Sequence, residues 1–289
     1  MGAKVVERTA PSPTGHLHLG HVFSALIAYR NSQKGDGSFK LRIEDIDHKR
    51  CRTEFDSQII HDLKWLGIKW QGQILRQKTR MKYYNGALNE LKKAGLLYPC
   101  ACTRNDIKNA LSAPHIENRS ILTYPGTCLK NPPTNKIIAL RLNIKKAIQL
   151  VDKYNLFFYE TGFSISHSDE KQLISHDELL HKFGDFVVAR KDIGTSYNLA
   201  TIIDDEYQQV SHVSRGIDLL EITPIQVLLQ KLINLKTPIY HHHPLLYDLE
   251  GKKLSKRSNS ESIVELRKKG YSAAEIIELA FYHHKNTAY

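Results

Sequence analysis

Short apolar runs alternate with amphipathic stretches through the first hundred residues of the chain. Val5 and Val6 open a strand that Pro11, Pro13 and Gly15 bring to a tight stop. Val22 to Tyr29 has helical spacing, and Phe39 to Ile43 alternates as a strand running into an acidic loop. Glu54 to Leu66 and Tyr83 to Ala94 return to the helical period, the second ending at Gly95. This order predicts an α/β fold with a parallel sheet, its ligand at the carboxyl ends of the strands.

From Tyr98 to about Gly184 the pattern changes. Cysteines, prolines and short strands such as Ile137 to Leu142 interrupt the winding, as expected of an insertion. Phe186 to Ala189 and Ala200 to Ile203 then read as strands, and Pro224 to Leu232 as a helix. Beyond Lys256 there is room for about one helical hairpin. The expected organisation is a first catalytic half over 1–97, an insertion over 98–184, a second half over 185–235, and a loop with a short helical segment over 236–289.

Charge adds a partner class. The 289 residues hold 41 Lys+Arg against 30 Asp+Glu, a net charge of +11, which suits a polyanion such as RNA. No apolar run is long enough to span a bilayer and the N-terminus lacks a signal-peptide core, so a cytoplasmic protein without membrane attachment is expected. Of four cysteines, three cluster, which argues for metal over disulfides.

The segment from Arg8 to His21 carries the chemistry. Its turn leads into a helix start where His18 and His21 lie one turn apart, with Gly20 between them letting a flat ring or phosphate approach the backbone. Free N–H groups there, with two imidazoles, suit a nucleoside triphosphate. Arg8 can fork onto a carboxylate, and Glu44, at a strand end, can receive an ammonium. Arg42, Asp45 and Asp47 read instead as structural ion pairs. Far downstream, Gly251 and the run Lys253-Leu254-Ser255-Lys256 make a closable basic loop. Cys100 and Cys102 form a chelating knuckle to which Cys128 adds a third thiolate; Tyr124 or His115 could complete four zinc ligands. Cys51 stands apart. His241 to His243 point in different directions on a strand and read as a lead-in to the basic loop, not a ligand set.

His18-Leu-Gly-His21 and Lys253-Leu-Ser-Lys256 resemble the two signature motifs of the class I aminoacyl-tRNA synthetases. Arg8 to Gly15, with Leu41-Arg-Ile-Glu-Asp-Ile-Asp47, is similar to the glutamate-activating branch. The resemblance implies a Rossmann-like catalytic domain with a zinc-bearing insertion. It also implies L-glutamate held by Arg8, Thr9, Ala10, Pro11, Ser12, Glu44, Tyr197 and Arg215. ATP, with Mg2+, would be held by His18, Gly20, His21 and the Lys253–Lys256 loop; His18 and His21 would stabilise the phosphates and Lys256 the leaving pyrophosphate. Tyr124-x-x-x-Cys128 resembles the zinc site of the truncated, queuosine-directed paralogues of that branch, which favours Tyr124 as fourth ligand to one structural Zn2+. Only 33 residues follow Lys256, too few for an anticodon-binding domain. The resemblance therefore implies a monomeric truncated paralogue that transfers glutamate to queuosine in tRNA(Asp). A shortened glutamyl-tRNA synthetase charging the acceptor end and a catalytically silent RNA-binding paralogue are the alternatives. Cytidylyltransferases share the histidine motif but lack the lysine loop.

Overall fold

The computed structural model describes residues 4–34, 36–111, 123–134, 138–162, 171–247, 254 and 261–286. Three parallel strands form the first half: β1 (Val6–Thr9), β2 (Ser38–Ile43) and β3 (Leu75–Arg76), in the order β1-β2-β3. The helix Leu19–Ser32 crosses from β1 to β2, the right length for a βαβ unit. Phe39, Leu41 and Ile43 of β2 are fully buried against Val22, Phe23 and Leu26 of that helix and Ile59 and Leu63 of the next, Thr53–Trp65. These three strand residues line one face, and Ser38 and Arg42 are buried on the other, as a central parallel strand requires.

Among the described residues the insertion contributes to two antiparallel sheets. β4 (Leu97–Cys100) pairs with β5 (Ala139–Leu142), and β6 (Phe157–Tyr159) with β7 (Lys171–Leu173). β8 (Val187–Ala189) is a strand, as its apolar run predicts, but it pairs antiparallel with β5 and so joins the first of these sheets.

The second parallel pair consists of β9 (His212–Gly216) and β10 (Ile239–His243). β9 flanks β1: the Ser211 amide donates to Val6 O at 3.0 Å, and the Ser214 hydroxyl to Glu7 at 2.6 Å. Glu7 is fully buried there, and burial pushes its carboxyl up to about 7 against the hydrogen bonds from Ser214.

Ala200 to Ile203 is not a strand. It lies inside the helix Tyr197–Tyr207, started by Ser196, whose hydroxyl accepts from the Leu199 amide at 3.3 Å. Four apolar residues cannot distinguish a buried strand from a buried helix segment, and the capping serine decides. Pro224 to Leu232 forms within the helix Thr223–Leu232. The helix Ala273–Asn286 returns to the first half, where Phe281 meets Phe23 edge-on and lies beneath the Arg30 guanidinium at 3.9 Å. Among the described residues, no helix is long and apolar enough to cross a membrane.

Candidate active site and thiolate cluster

A cavity of about 390 Å³ opens at the carboxyl ends of β1, β2 and β9. Arg8, Thr9, Ala10 and Pro11 form one wall, and Glu44, Tyr197 and Arg215 another. His18, Gly20, His21 and Leu254 line it as well. Residues far apart in sequence thus converge on one space. Ser12 is not on the lining, and Gly251, Lys253, Ser255, Lys256 and His115 lie outside the described residues. Leu254 is held by its amide to Leu246 O at 2.9 Å. Its carbonyl lies 3.7 Å from where a Cβ on Gly20 would sit, so the two signature motifs meet.

His18 and His21 are the capping box of their own helix. The His18 Nδ1 accepts from the Gly20 amide at 3.1 Å, and the His21 Nδ1 from the His18 amide at 3.2 Å. With both Nδ1 atoms accepting, each neutral ring carries its proton on Nε2. The rings lie 3.8 Å apart, tilted by 46°. The space expected over Gly20 is taken by His18 itself: a Cβ there would come to 3.0 Å of His18 Cε1.

Arg8 leaves β1 with its Nε on Asp205 at 3.1 Å. Its two Nη groups make no hydrogen bond to the described residues, so its fork faces the cavity with donors to spare. Burial works against the Arg8 charge, but Asp205 outweighs it and raises the pKa. Burial also raises the Glu44 carboxyl and the Tyr197 phenol. Glu44 accepts from Arg42 Nη2 at 3.3 Å. Arg42, Asp45 and Asp47 are ion-paired as expected, to Asp205 and Glu44, to Lys78, and to Arg50 and Arg190.

Arg215 is anchored more heavily than its sequence context suggests. Nε donates to His242 Nε2 at 3.0 Å, Nη1 to Gln226 at 2.8 Å, and Nη2 to Thr223 at 2.8 Å and Leu219 O at 3.3 Å. Asp205 is the functional residue that sequence reasoning missed. The acidic pair after Ile202-Ile203 was its only signal; within the helix Asp204 turns to Gln77, Arg80 and Tyr84 and Asp205 to Arg8 and Arg42, partners that no local pattern names.

The thiolate cluster lies away from this cavity. The sulfurs of Cys100, Cys102 and Cys128 are within 4.8 Å of one another. The Tyr124 hydroxyl stands 3.4 Å from both Cys100 Sγ and Cys102 Sγ and accepts from the Cys128 amide at 2.8 Å. Tetrahedral thiolate sites place sulfurs roughly 3.8 Å apart, so these donors fit a zinc-sized ion. Arg141 supplies a counter-charge: Nε donates to Cys100 Sγ at 3.2 Å, and the guanidinium lies 3.7 Å over the Tyr124 ring. Burial raises the Cys128 thiol, yet hydrogen bonds led by Tyr124 bring it down to about 7. Cys51 is half-buried and apart from the cluster. His242 and His243 bind Glu160 and Ser24, so the three histidines do not converge.

Residues 4–282 match the family described as tRNA synthetases class I (E and Q), catalytic domain. A Rhodobacter capsulatus protein named glutamyl-Q tRNA(Asp) synthetase is 41% identical over 95% of this chain and 99% of its own length. One of the same name from Geobacter sulfurreducens is 36% identical over 90% of this chain and 77% of its own. Among solved structures, a glutamate tRNA ligase from Elizabethkingia meningosepticum, in complex with its amino acid, superposes with a TM-score of 0.70 at 22% identity. It is covered over 60% of its length by 96% of this chain, and at that identity it shows the fold. The chain belongs to the class I tRNA synthetases of the E and Q type, and the family's catalytic domain spans nearly all of it.

Proposed function

We propose that the chain activates L-glutamate with ATP, without tRNA, and then esterifies the glutamyl group to the cyclopentene diol of queuosine in tRNA(Asp). The observation that carries this reading is the pairing of the unspent Arg8 fork with Glu44 across the motif-lined cavity. A guanidinium fork takes the side-chain carboxylate in bidentate fashion, and a buried carboxylate takes the ammonium. The α-carboxylate oxygen attacks the α-phosphorus of ATP, the bond to the bridging oxygen breaks, and pyrophosphate leaves; Mg2+, bound with ATP, would neutralise its charge. His18 and His21 offer Nε2–H donors to the phosphates, and Lys256 holds the pyrophosphate. Such a displacement needs positioning and charge neutralisation, with no covalent nucleophile from the protein. A diol hydroxyl then attacks the glutamyl carbonyl and AMP leaves.

Ser12, Tyr197 and Arg215 complete the glutamate pocket, and Lys253, Leu254 and Ser255 the ATP loop. Cys100, Cys102, Cys128 and Tyr124 would hold one structural zinc, which would stabilise the insertion and take no part in the reaction. The four segments 1–97, 98–184, 185–235 and 236–289 are the working division of a monomer acting in the cytoplasm. The relatives' shared name and their near full-length similarity support the acceptor.

Purified protein should exchange labelled pyrophosphate into ATP with glutamate alone, and with glutamine poorly. It should then move labelled glutamate onto tRNA(Asp) from queuosine-making cells, as an alkali-labile ester in the anticodon loop. Transfer to queuosine-free tRNA, or charging of the terminal adenosine of tRNA(Glu), would replace this reading with a shortened synthetase.

A further inference from the structure

Arg215 can give a ligand little more than one bond. Of its five N–H groups, four already have acceptors: one from Nε, one from Nη1 and two from Nη2. The second Nη1–H has no acceptor among the described residues, Arg215 lines the cavity, and the direction of that N–H is set by the guanidinium plane. Gln226, Thr223 and Leu219 O fix the Nη side. The Nε side depends on His242 Nε2 being an acceptor, which requires the imidazole proton to be on Nδ1.

That proton is set from the insertion. Glu160 follows β6, is fully buried, and faces His242 Nδ1 with one carboxylate oxygen. Its other oxygen accepts from the His242 amide at 2.9 Å and the Gly162 amide at 2.7 Å. The docking is tight: the Thr161 amide donates to Tyr240 O at 2.9 Å, and a Cβ on Gly162 would come to 2.2 Å of His242 O. Burial favours a neutral Glu160, but the His242 hydrogen bonds outweigh it and lower its pKa. Burial lowers the His242 pKa, in keeping with an Nε2 that accepts from Arg215.

We propose that Glu160 and His242 are positioning residues for substrate selection: Glu160, contributed by the insertion, locks the His242 tautomer, and His242 in turn aims the last free N–H of Arg215 at the bound amino acid. This rests on the glutamate reading of the cavity. It makes a residue of the insertion, remote from the cavity lining, a determinant of amino-acid affinity.

Glu160→Gln is the decisive change. The amide oxygen must stay on the two backbone N–H groups, so the NH2 faces His242 Nδ1 and forces the proton to Nε2, against Arg215 Nε–H. In ATP–pyrophosphate exchange, KM for glutamate should rise about tenfold while KM for ATP and the melting temperature hold, as loss of an aimed bond predicts. His242→Gln, whose amide oxygen can replace Nε2 as acceptor, should keep KM for glutamate well below that of His242→Leu. An unchanged glutamate KM in Glu160→Gln, or equal losses in His242→Gln and His242→Leu at matched melting temperature, overturns the proposal. If Glu160→Gln melts early, the two His242 variants decide alone. Wild-type protein that shows no glutamate-dependent exchange overturns the glutamate reading instead, which separates the two failures.

Discussion

Arg42 and Asp205 meet at 2.6 Å with the arginine side chain wholly excluded from solvent, and the same Asp205 oxygen receives Arg8 Nε. One carboxylate therefore neutralises two buried guanidiniums, one of which faces the cavity. Burial and the two arginines oppose one another at Asp205, and the arginines prevail, holding it below the usual carboxylate range.

Asp205→Asn should thus unfold more easily by about 3–5 kcal/mol, the usual loss when one partner of a buried pair is removed. Urea denaturation measures it. The variant that still folds should also bind glutamate more weakly, because Arg8 loses its anchor. A midpoint equal to wild type would show that the pair is dispensable.

Gly20→Ala pushes a methyl group against the His18 ring, whose Cε1 lies 3.0 Å from the new Cβ. The ring must shift by a few tenths of an ångström, which strains its cap on the Gly20 amide. The expected result is a fall in kcat of pyrophosphate exchange of about tenfold, with a stability loss of about 1 kcal/mol or less from the weakened cap. KM for glutamate should change little, since Arg8 and Glu44 are untouched. Steady-state kinetics with both substrates varied will check the split.

Glu7 gives the fold a pH dependence of its own. An unfolded glutamate ionises near 4.5, whereas this one keeps its proton up to about 7. Between those values the native state holds more protons than the unfolded state, so stability falls as pH rises, at about 1.4 kcal/mol per unit and about 3 kcal/mol in all. Glu7→Gln should flatten that slope. Melting temperatures from pH 4.5 to pH 8 for both proteins test it; parallel curves would refute the assignment.

Metal analysis of the purified protein should find about one zinc per chain. Cys128→Ser should lose it and loosen the insertion while glutamate-dependent exchange survives in part. Tyr124→Phe, which removes only the hydroxyl, should weaken zinc retention under a chelator. Retention unchanged in Tyr124→Phe would turn attention to His115.

The sequence made the βαβ half legible because its short apolar runs alternate with stretches of helical period and its breakers sit at the ends. The site was legible where one residue type has few uses, as with Arg8, Glu44 and the cysteines. It was not legible where partnership is non-local. Asp205 acts 197 residues from Arg8, and Glu160 acts 82 residues from His242. Val187–Ala189 shows the same limit, since an apolar triplet does not say which sheet it joins. The misread run Ala200 to Ile203 shows a different one: its cap, Ser196, stands four residues before the run and beside Tyr197, outside the apolar pattern that suggested a strand.

The mutual cap of His18 and His21 has a consequence for how such a site can change over time. Each ring's backbone-facing nitrogen holds the helix start, and that fixes which nitrogen carries its proton. Replacing either ring alone removes an architectural pin along with a chemical donor. The two positions are therefore coupled through the backbone they hold. Side chains that accept at both positions, such as paired Ser, Asn or Asp, would keep the helix start while removing both imidazoles, so the scaffold and the ring chemistry are separable only by changing the two together.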